Sequence, residues 1–452
     1  VPQALKYRRF SLLRNTLIFK KGPVASESFC SKIALPMKKK LIAFIPLLAA
    51  AICTFAQDIP VSNLKKHIET LASPEFEGRG TGEKGEKKAY KYLSAELKKM
   101  GVKPFPANKK SYLQPFEFEL KLMDPNNPHG EMVSKGNIKG SNVVAWIDNA
   151  AQYTVVIGAH YDHLGTGGLG GSREAEPEGK IHYGADDNAS GVAGALELAR
   201  YLQNNGRIEE HNYLFIFFSG EEEGLFGSKF YVENPFVPAE NINYMINMDM
   251  IGRLDSSTRR LVVHGVGTSP EFGTHLNAAN NRSLSLVFDS SGVGPTDFTS
   301  FYRKNIPVLG FFTGQHNDYH KETDVPSRIN YAGEKDVLEF IAALIDRLDT
   351  LPKQQFQKTR EMQMGRTRFK VTLGIMPDYT YPGPGIRVDG VTDGKPAYEA
   401  GIQAGDIVLS LADTEITDMG SYMKLLGELE PGRETFVVIK RGEEELKLPV
   451  KF

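Results

Sequence analysis

Residues 153–163 read Tyr-Thr-Val-Val-Ile-Gly-Ala-His-Tyr-Asp-His. A nearly unbroken apolar run ends abruptly in His160 and Asp162. Runs that do not alternate are expected of strands covered on both faces. The same design recurs downstream. Asn212–Ser219 leads into Glu221 and Glu222, Ile242–Met248 into Asp249, and Ile306–Phe312 precedes His316, His320 and Asp324. Asn142–Asp148 and Leu261–His264 are further short β-rich runs. Helical spacing separates them: Val192, Leu196 and Ala199 share one face, as do Val337, Phe340, Ile341, Leu344 and Leu348. Upstream, 62–73 and 83–101 read as helices, the second with Ala89, Leu93, Leu97 and Met100 in register and Gly101 as a stop. Strands alternating with helices predict an α/β fold, a mixed, mostly parallel sheet sandwiched by helices. Active sites of such sheets lie beyond the carboxyl ends of the strands.

Five polar segments therefore converge on one rim: GAHYDH with His160 and Asp162, GADDNASG with Asp186 and Asp187, SGEEEGLFGS with Glu221 and Glu222, NMDMIG with Asp249, and HNDYHKETD with His316, His320 and Asp324. Taken singly, each has an ordinary reading. An acidic triplet commonly opens a solvated helix, and Asp187-Asn188-Ala189-Ser190 would serve as a helix cap. Together they bring up to four carboxylates into one place, where they could not all ionise without cations. Imidazole with carboxylate and no thiolate suits zinc, or else manganese or cobalt. Two divalent ions sharing one carboxylate, about 3.5–4 Å apart, form a common hydrolytic arrangement.

In order and kind, these segments resemble the exported zinc aminopeptidase family whose relatives include glutaminyl cyclases and glutamate carboxypeptidases, across residues 62–349. The resemblance implies a zinc exopeptidase-like fold holding two Zn2+ ions. His160 and Asp249 would bind one metal, Glu222 and His320 the other, and Asp187 would bridge them. Asp187 is chosen over Asp186 because the family's bridging carboxylate directly precedes the position of Asn188. The family pattern Glu-Glu-x-Gly-Leu makes Glu221 the general base and Glu222 the ligand, and leaves Glu223 variable. Asp162 would orient His160 through its other ring nitrogen. The implied reaction is hydrolysis of N-terminal residues from peptides by a two-zinc-activated water. Relatives often carry Ser-Asp-His before the last strand; here Thr296-Asp297-Phe298 stands there, and the histidine is missing. Single-zinc glutaminyl cyclase or carboxypeptidase chemistry is the rival on this scaffold. Such cyclases lack the first histidine ligand, and the presence of His160 favours the two-metal peptidase. A non-catalytic binding protein is a third reading, opposed by the complete ligand set. Gly165–Lys180 reads as a flexible loop beside the metals that could gate them, or as an ordinary surface loop.

After Leu348 the texture changes. Residues 350–366 suit a linker, and 367–452 form a compact unit of β runs and Gly-rich turns. Its pattern, Gly-Lys-Pro-Ala and then Ala-Gly-x-x-x-Gly-Asp-Ile-Val, resembles bacterial PDZ domains. Such domains accept a peptide as an added strand and catch its carboxylate on backbone amides. The loop Thr372-Leu373-Gly374-Ile375 would do so here, with Leu373, Gly374 and Ile375 as the peptide-binding residues.

At the other end, Met37-Lys38-Lys39-Lys40 precedes LIAFIPLLAAAIC and Thr54-Phe55-Ala56-Gln57. A basic start, a short apolar core and a small residue before a polar one predict a signal peptide over 37–56, cleaved after Ala56. The apolar run is too short for a transmembrane anchor. Residues 1–36 read as an upstream extension, leaving 57–349 as the peptidase domain. Both cysteines, Cys30 and Cys53, fall in the leader, which excludes a disulfide, a thiolate site or a cysteine nucleophile from the mature chain. Ile52 before Cys53 argues against lipoprotein anchoring. Export to the periplasm or medium is expected. Residues 1–56 hold ten Lys and Arg against one acidic residue, so the rest of the chain has a net charge of −10. That excludes nonspecific nucleic-acid binding, which needs clustered cations.

Overall fold

The computed structural model describes residues 58–108, 110–122, 133–359, 370–378, 381 and 383–452. The expected leader, with Cys30 and Cys53, and the later part of the expected linker lie outside the described residues.

Helices α1 (Val61–Leu71) and α2 (Lys84–Met100) open the described chain. Helix α2 stops where Gly101 takes φ 82°, and the Gly101 N–H returns to the carbonyls of Leu97 and Lys98. Only glycine adopts that left-handed conformation cheaply. Then follow β1 (Lys103–Pro104), β2 (Leu113–Leu122), β3 (Val133–Ile147), β4 (Tyr153–His160), α3 (Gly191–Asn204), β5 (His211–Phe218), α4 (Phe226–Glu233), β6 (Ile242–Met248), β7 (Arg260–His264), α5 (Phe272–Ala279), β8 (Ser285–Phe288), α6 (Phe298–Tyr302), β9 (Val308–Phe312) and α7 (Tyr331–Asp349).

The strands form one mixed sheet in the order β1-β3-β5-β4-β6-β9-β7-β8, with β2 also paired to β3. Its centre, β5-β4-β6-β9, is parallel, and its margins are antiparallel where β3 meets β5 and β7 meets β9. Both faces are covered. Val155, Ile157, Phe215 and Ile246 pack with α1, α2, α3 and α7, whereas Val156, Leu214, Ile216 and Met245 pack with Tyr231 of α4 and Phe301 of α6. Neighbouring residues of one strand thus enter different cores, which is why the strands read as continuous apolar runs.

The β2–β3 ribbon is longer than the expected strand at Asn142–Asp148 and includes a strand the sequence reading does not predict. In β2, Phe116, Phe118 and Leu120 point inward and alternate with exposed Glu117, Glu119 and Lys121. Phe118 stacks on Phe226 with ring centroids 4.0 Å apart, and Phe116 on Phe230 at 5.6 Å. This is a one-sided strand, whose period of two differs from the continuous runs of the sheet centre.

Arg79, in the turn before α2, is fully buried. Its guanidinium donates to the carbonyls of Tyr161, Leu71, Tyr183 and Gly184, each at 2.8 Å. Burial lowers its pKa to about 10, against the opposing pull of Asp187 and Asp324, and it stays charged. It joins the loop after β4 to the loop that leads to Asp187. Arg79→Ala would strand several buried carbonyls, each costing about 1–3 kcal/mol. The expected outcome is a loss of at least ~3 kcal/mol in a denaturant titration, or no soluble protein; a variant of wild-type stability would contradict this bracing role.

The C-terminal unit contains β10 (Ile375–Pro377), β11 (Ile386–Val391), α8 (Pro396–Glu399), β12 (Ile407–Leu411), β13 (Thr414–Glu415), α9 (Met419–Glu428), β14 (Glu434–Arg441) and β15 (Glu444–Lys451). Its antiparallel sheet runs β10-β11-β12-β14-β15, with β13 on β12. Leu373, Val388, Val408, Leu411, Val437 and Ile439 form its core. Asp418 caps α9 in a reciprocal capping box with Ser421. Strand β10 lies at the sheet edge, and Gly374 just before it takes φ 79°. The segment after α7 is fastened to the first sheet's unit: the Gln354 N–H donates to Asn243 Oδ1 at 2.6 Å and the Gln357 N–H to the Thr268 carbonyl at 2.8 Å. Among the described residues, no helix is long and apolar enough to cross a membrane.

Candidate metal centre

The parallel strands deliver the polar segments to one rim. His160 is the last residue of β4, Glu221 and Glu222 follow β5, Asp249 follows β6, and the loop after β9 carries His320. Asp187 comes from the turn Ala185–Ser190 that opens α3.

Two overlapping ligand groups result, His160 with Asp187 and Asp249, and His163 with Asp187 and Glu222. In the first, His160 Nε2 lies 3.3 Å from Asp187 Oδ1 and 3.3 Å from Asp249 Oδ1. In the second, His163 Nδ1 lies 2.6 Å from Glu222 Oε1 and 3.8 Å from Asp187 Oδ2. His320 Nε2 lies 3.1 Å from Asp187 Oδ2 and 3.1 Å from Glu222 Oε2. Asp187 belongs to both groups and offers a different oxygen to each.

The residues fit a metal site. His320 Nε2 makes no hydrogen bond although two carboxylate oxygens face it at contact distance. Its Nδ1 is held 2.8 Å from the Gly171 carbonyl. Nδ1 then carries the proton, and the Nε2 lone pair points at the carboxylates, as a ligand's would. Among the described residues the donors here are imidazole nitrogen and carboxylate oxygen, which suits zinc.

Asp186 is elsewhere. It accepts from the Gly252 N–H at 2.7 Å and pairs with His316 Nε2 at 3.1 Å. Asp324 receives the backbone N–H groups of Asp186 and Asp187 at 3.0–3.1 Å and fixes the turn that aims Asp187. Burial raises the Asp324 pKa to about 6. Asp162 is fully buried and accepts from Thr81 Oγ1 at 3.2 Å. The backbone carbonyl of Asp162 lies 3.2 Å from His160 Nδ1, and its carboxylate lies 3.9 Å away. The carbonyl therefore makes the closer contact to that nitrogen.

Glu221 is 9% exposed. Burial pushes its carboxyl well above the usual range, opposed by His160 and reinforced by Asp297, Asp249 and Glu222. Glu222 sits lower, at about 2: burial and Asp187 work against its ionised form, while His320 and His163 more than offset them. The two adjacent glutamates are thus shifted in opposite directions, Glu221 upward chiefly by burial and Glu222 downward by His320 and His163.

The sequence reading does not single out His163 or Arg79. His163 stands in the quoted GAHYDH segment, and its spacing of three from His160 is the signal that marks it. Phe298, where relatives often carry histidine, is fully buried and stacks on His264 with centroids 5.8 Å apart, so that position belongs to the core. Residues 171–173 of the Gly165–Lys180 loop are tied to the ligand loop, since the Arg173 N–H donates to the His320 carbonyl at 3.0 Å.

Residues 142–345 match the model of peptidase family M28 and residues 355–452 that of the PDZ domain. The two matches follow one another along the chain without overlap. It is 27% identical over 278 residues to leupeptin-inactivating enzyme 1 of Streptomyces exfoliatus, a match covering 60% of this chain and 53% of that one. It is 29% identical over 234 residues to the probable lipoprotein aminopeptidase LpqL of Mycobacterium tuberculosis, covering 46% and 43%. The chain spans about half the length of these curated relatives. Among solved structures, the aminopeptidase from Aneurinibacillus sp. strain AM-1 superposes with a TM-score of 0.49 at 18% identity, covering 68% of this chain and 96% of that one.

Proposed function

We propose that the chain is an exported two-zinc aminopeptidase that hydrolyses N-terminal residues of peptides, with Glu221 as general base. One observation carries the reading: two ligand groups share Asp187, with buried Glu221 beside them and outside both. Five proposed ligands, His160, Asp187, Glu222, Asp249 and His320, supply the two positions, and His163 offers a third imidazole nitrogen at the second. Bound there, two divalent ions would polarise the scissile carbonyl and acidify the attacking water.

The chain's own residues do the rest. Glu221 Oε takes the proton of the attacking water and returns it to the leaving amine. Its buried setting favours the neutral carboxyl that holds the proton between the two transfers. Asp324 and Arg79 keep the Asp187 turn in place, so that both of its oxygens stay directed to separate groups. The Gly171 carbonyl fixes the ring of His320. The PDZ unit would accept a C-terminal peptide along the open edge of β10, its carboxylate meeting the loop Leu373-Gly374-Ile375. Export rests on the signal-like leader.

Two zinc equivalents per purified chain are expected, with hydrolysis of aminoacyl-p-nitroanilides that a chelator abolishes and zinc restores. Full turnover after complete chelation would refute the reading. Cyclisation of N-terminal glutamine in place of hydrolysis would move the chain to cyclase chemistry. Chelation should also lower the melting temperature: an ion held at a hundredfold its Kd stabilises the fold by about 2.7 kcal/mol. An unchanged melting temperature would mean that the site binds nothing under those conditions.

A further inference from the structure

We propose that Arg173 is a positioning residue through which the PDZ domain holds the His320 loop against the metal centre. The inference rests on the two-metal reading above. Arg173 lies in the loop after β4 and is only 6% exposed. Its backbone N–H donates to the His320 carbonyl at 3.0 Å, and its Nη1 to the Tyr319 carbonyl at 3.2 Å. The other side of the same guanidinium faces the PDZ domain, where Nη2 donates to the Val391 carbonyl at the end of β11 and Nε reaches Thr392 Oγ1 at 3.5 Å. A planar guanidinium holds five donors in a rigid fork and so reaches carbonyls on both its sides in fixed geometry, whereas a lysine ammonium is a compact charge with three rotatable donors.

A second contact repeats the link. Lys321, next to His320, lies 3.1 Å from both carboxylate oxygens of Asp393 in the turn after β11. The loop so gripped needs restraint. His320 has φ 58°, a left-handed conformation that a residue with a Cβ holds only against a cost. Its ring is fixed through Gly171, two residues before Arg173. Arg173 therefore joins three things: the segment that orients the imidazole, the backbone that carries it, and a separate domain.

The test uses the full chain with Arg173→Ala, Arg173→Lys and Asp393→Ala, and zinc affinities read by competition with a chromophoric chelator. Groups that hold a ligand in place are commonly worth 10–100-fold in metal affinity. Both Arg173 variants should weaken one of the two zinc ions by about tenfold or more and leave the other unchanged. Their kcat should recover in excess zinc, with KM unaltered. Asp393→Ala, at a partly exposed ion pair, should keep the wild-type melting temperature and weaken the same ion by a smaller factor. It keeps the test open if the Arg173 variants fail to fold. Wild-type affinity for both ions in every folded variant would overturn the proposal. Wild-type protein that takes up no zinc would overturn the two-metal reading itself, and this inference with it.

Discussion

Glu221→Ala is expected to bind zinc like the wild type and to lose turnover by about 10^2–10^4-fold, the usual worth of a positioned general base. Glu221 belongs to neither ligand group. Its removal therefore leaves both groups whole, and the loss should fall on kcat with little change in KM. Glu221→Ala that keeps wild-type turnover would refute the base assignment. Loss of a zinc ion would instead mean that Glu221 is a ligand and that the register of the Glu221–Glu223 run is wrong.

Asp187→Ala should do more. Because the two groups share this residue, deleting one side chain removes a ligand from each. Metal content should fall below one equivalent, and turnover by at least about 10^3-fold, because carbonyl polarisation and water activation go together. Excess zinc should not restore it. The contrast with Arg173→Ala, where excess zinc is expected to rescue, separates a bridging ligand from a residue that positions one. An Asp187→Ala variant that retains two ions would show that each ion has a complete set without a bridge.

Much of this was legible in the sequence because the chemistry sits at the ends of the most buried strands. The runs at 153–159 and 242–248 correspond to β4 (Tyr153–His160) and β6 (Ile242–Met248). Their burial on both faces gives the plain apolar signal. Order then carried the site: four parallel neighbours put the residues after them on a common rim. What stayed hidden depended on contacts between distant segments. Arg79 reads as a surface cation in a Gly-rich turn, and only the fold brings the carbonyls of Leu71, Tyr161, Tyr183 and Gly184 around it. His163 was in view but follows a histidine already claimed as a ligand. Arg173 sat in a loop read as flexible, since nothing local reveals that a domain some 220 residues later supplies its partners. The β2–β3 ribbon escaped because its one-sided alternation belongs to the margin of the sheet and departs from the pattern of its centre.

The central claim is that a pair of cations is held on one shared carboxylate. Anomalous diffraction at the zinc edge from crystals of the zinc-loaded chain tests it most directly. Two peaks are predicted about 3.5–4 Å apart, one bounded by His160 and Asp249, the other by Glu222 and His320, with Asp187 between them. A single peak, or density away from Asp187, would contradict the account.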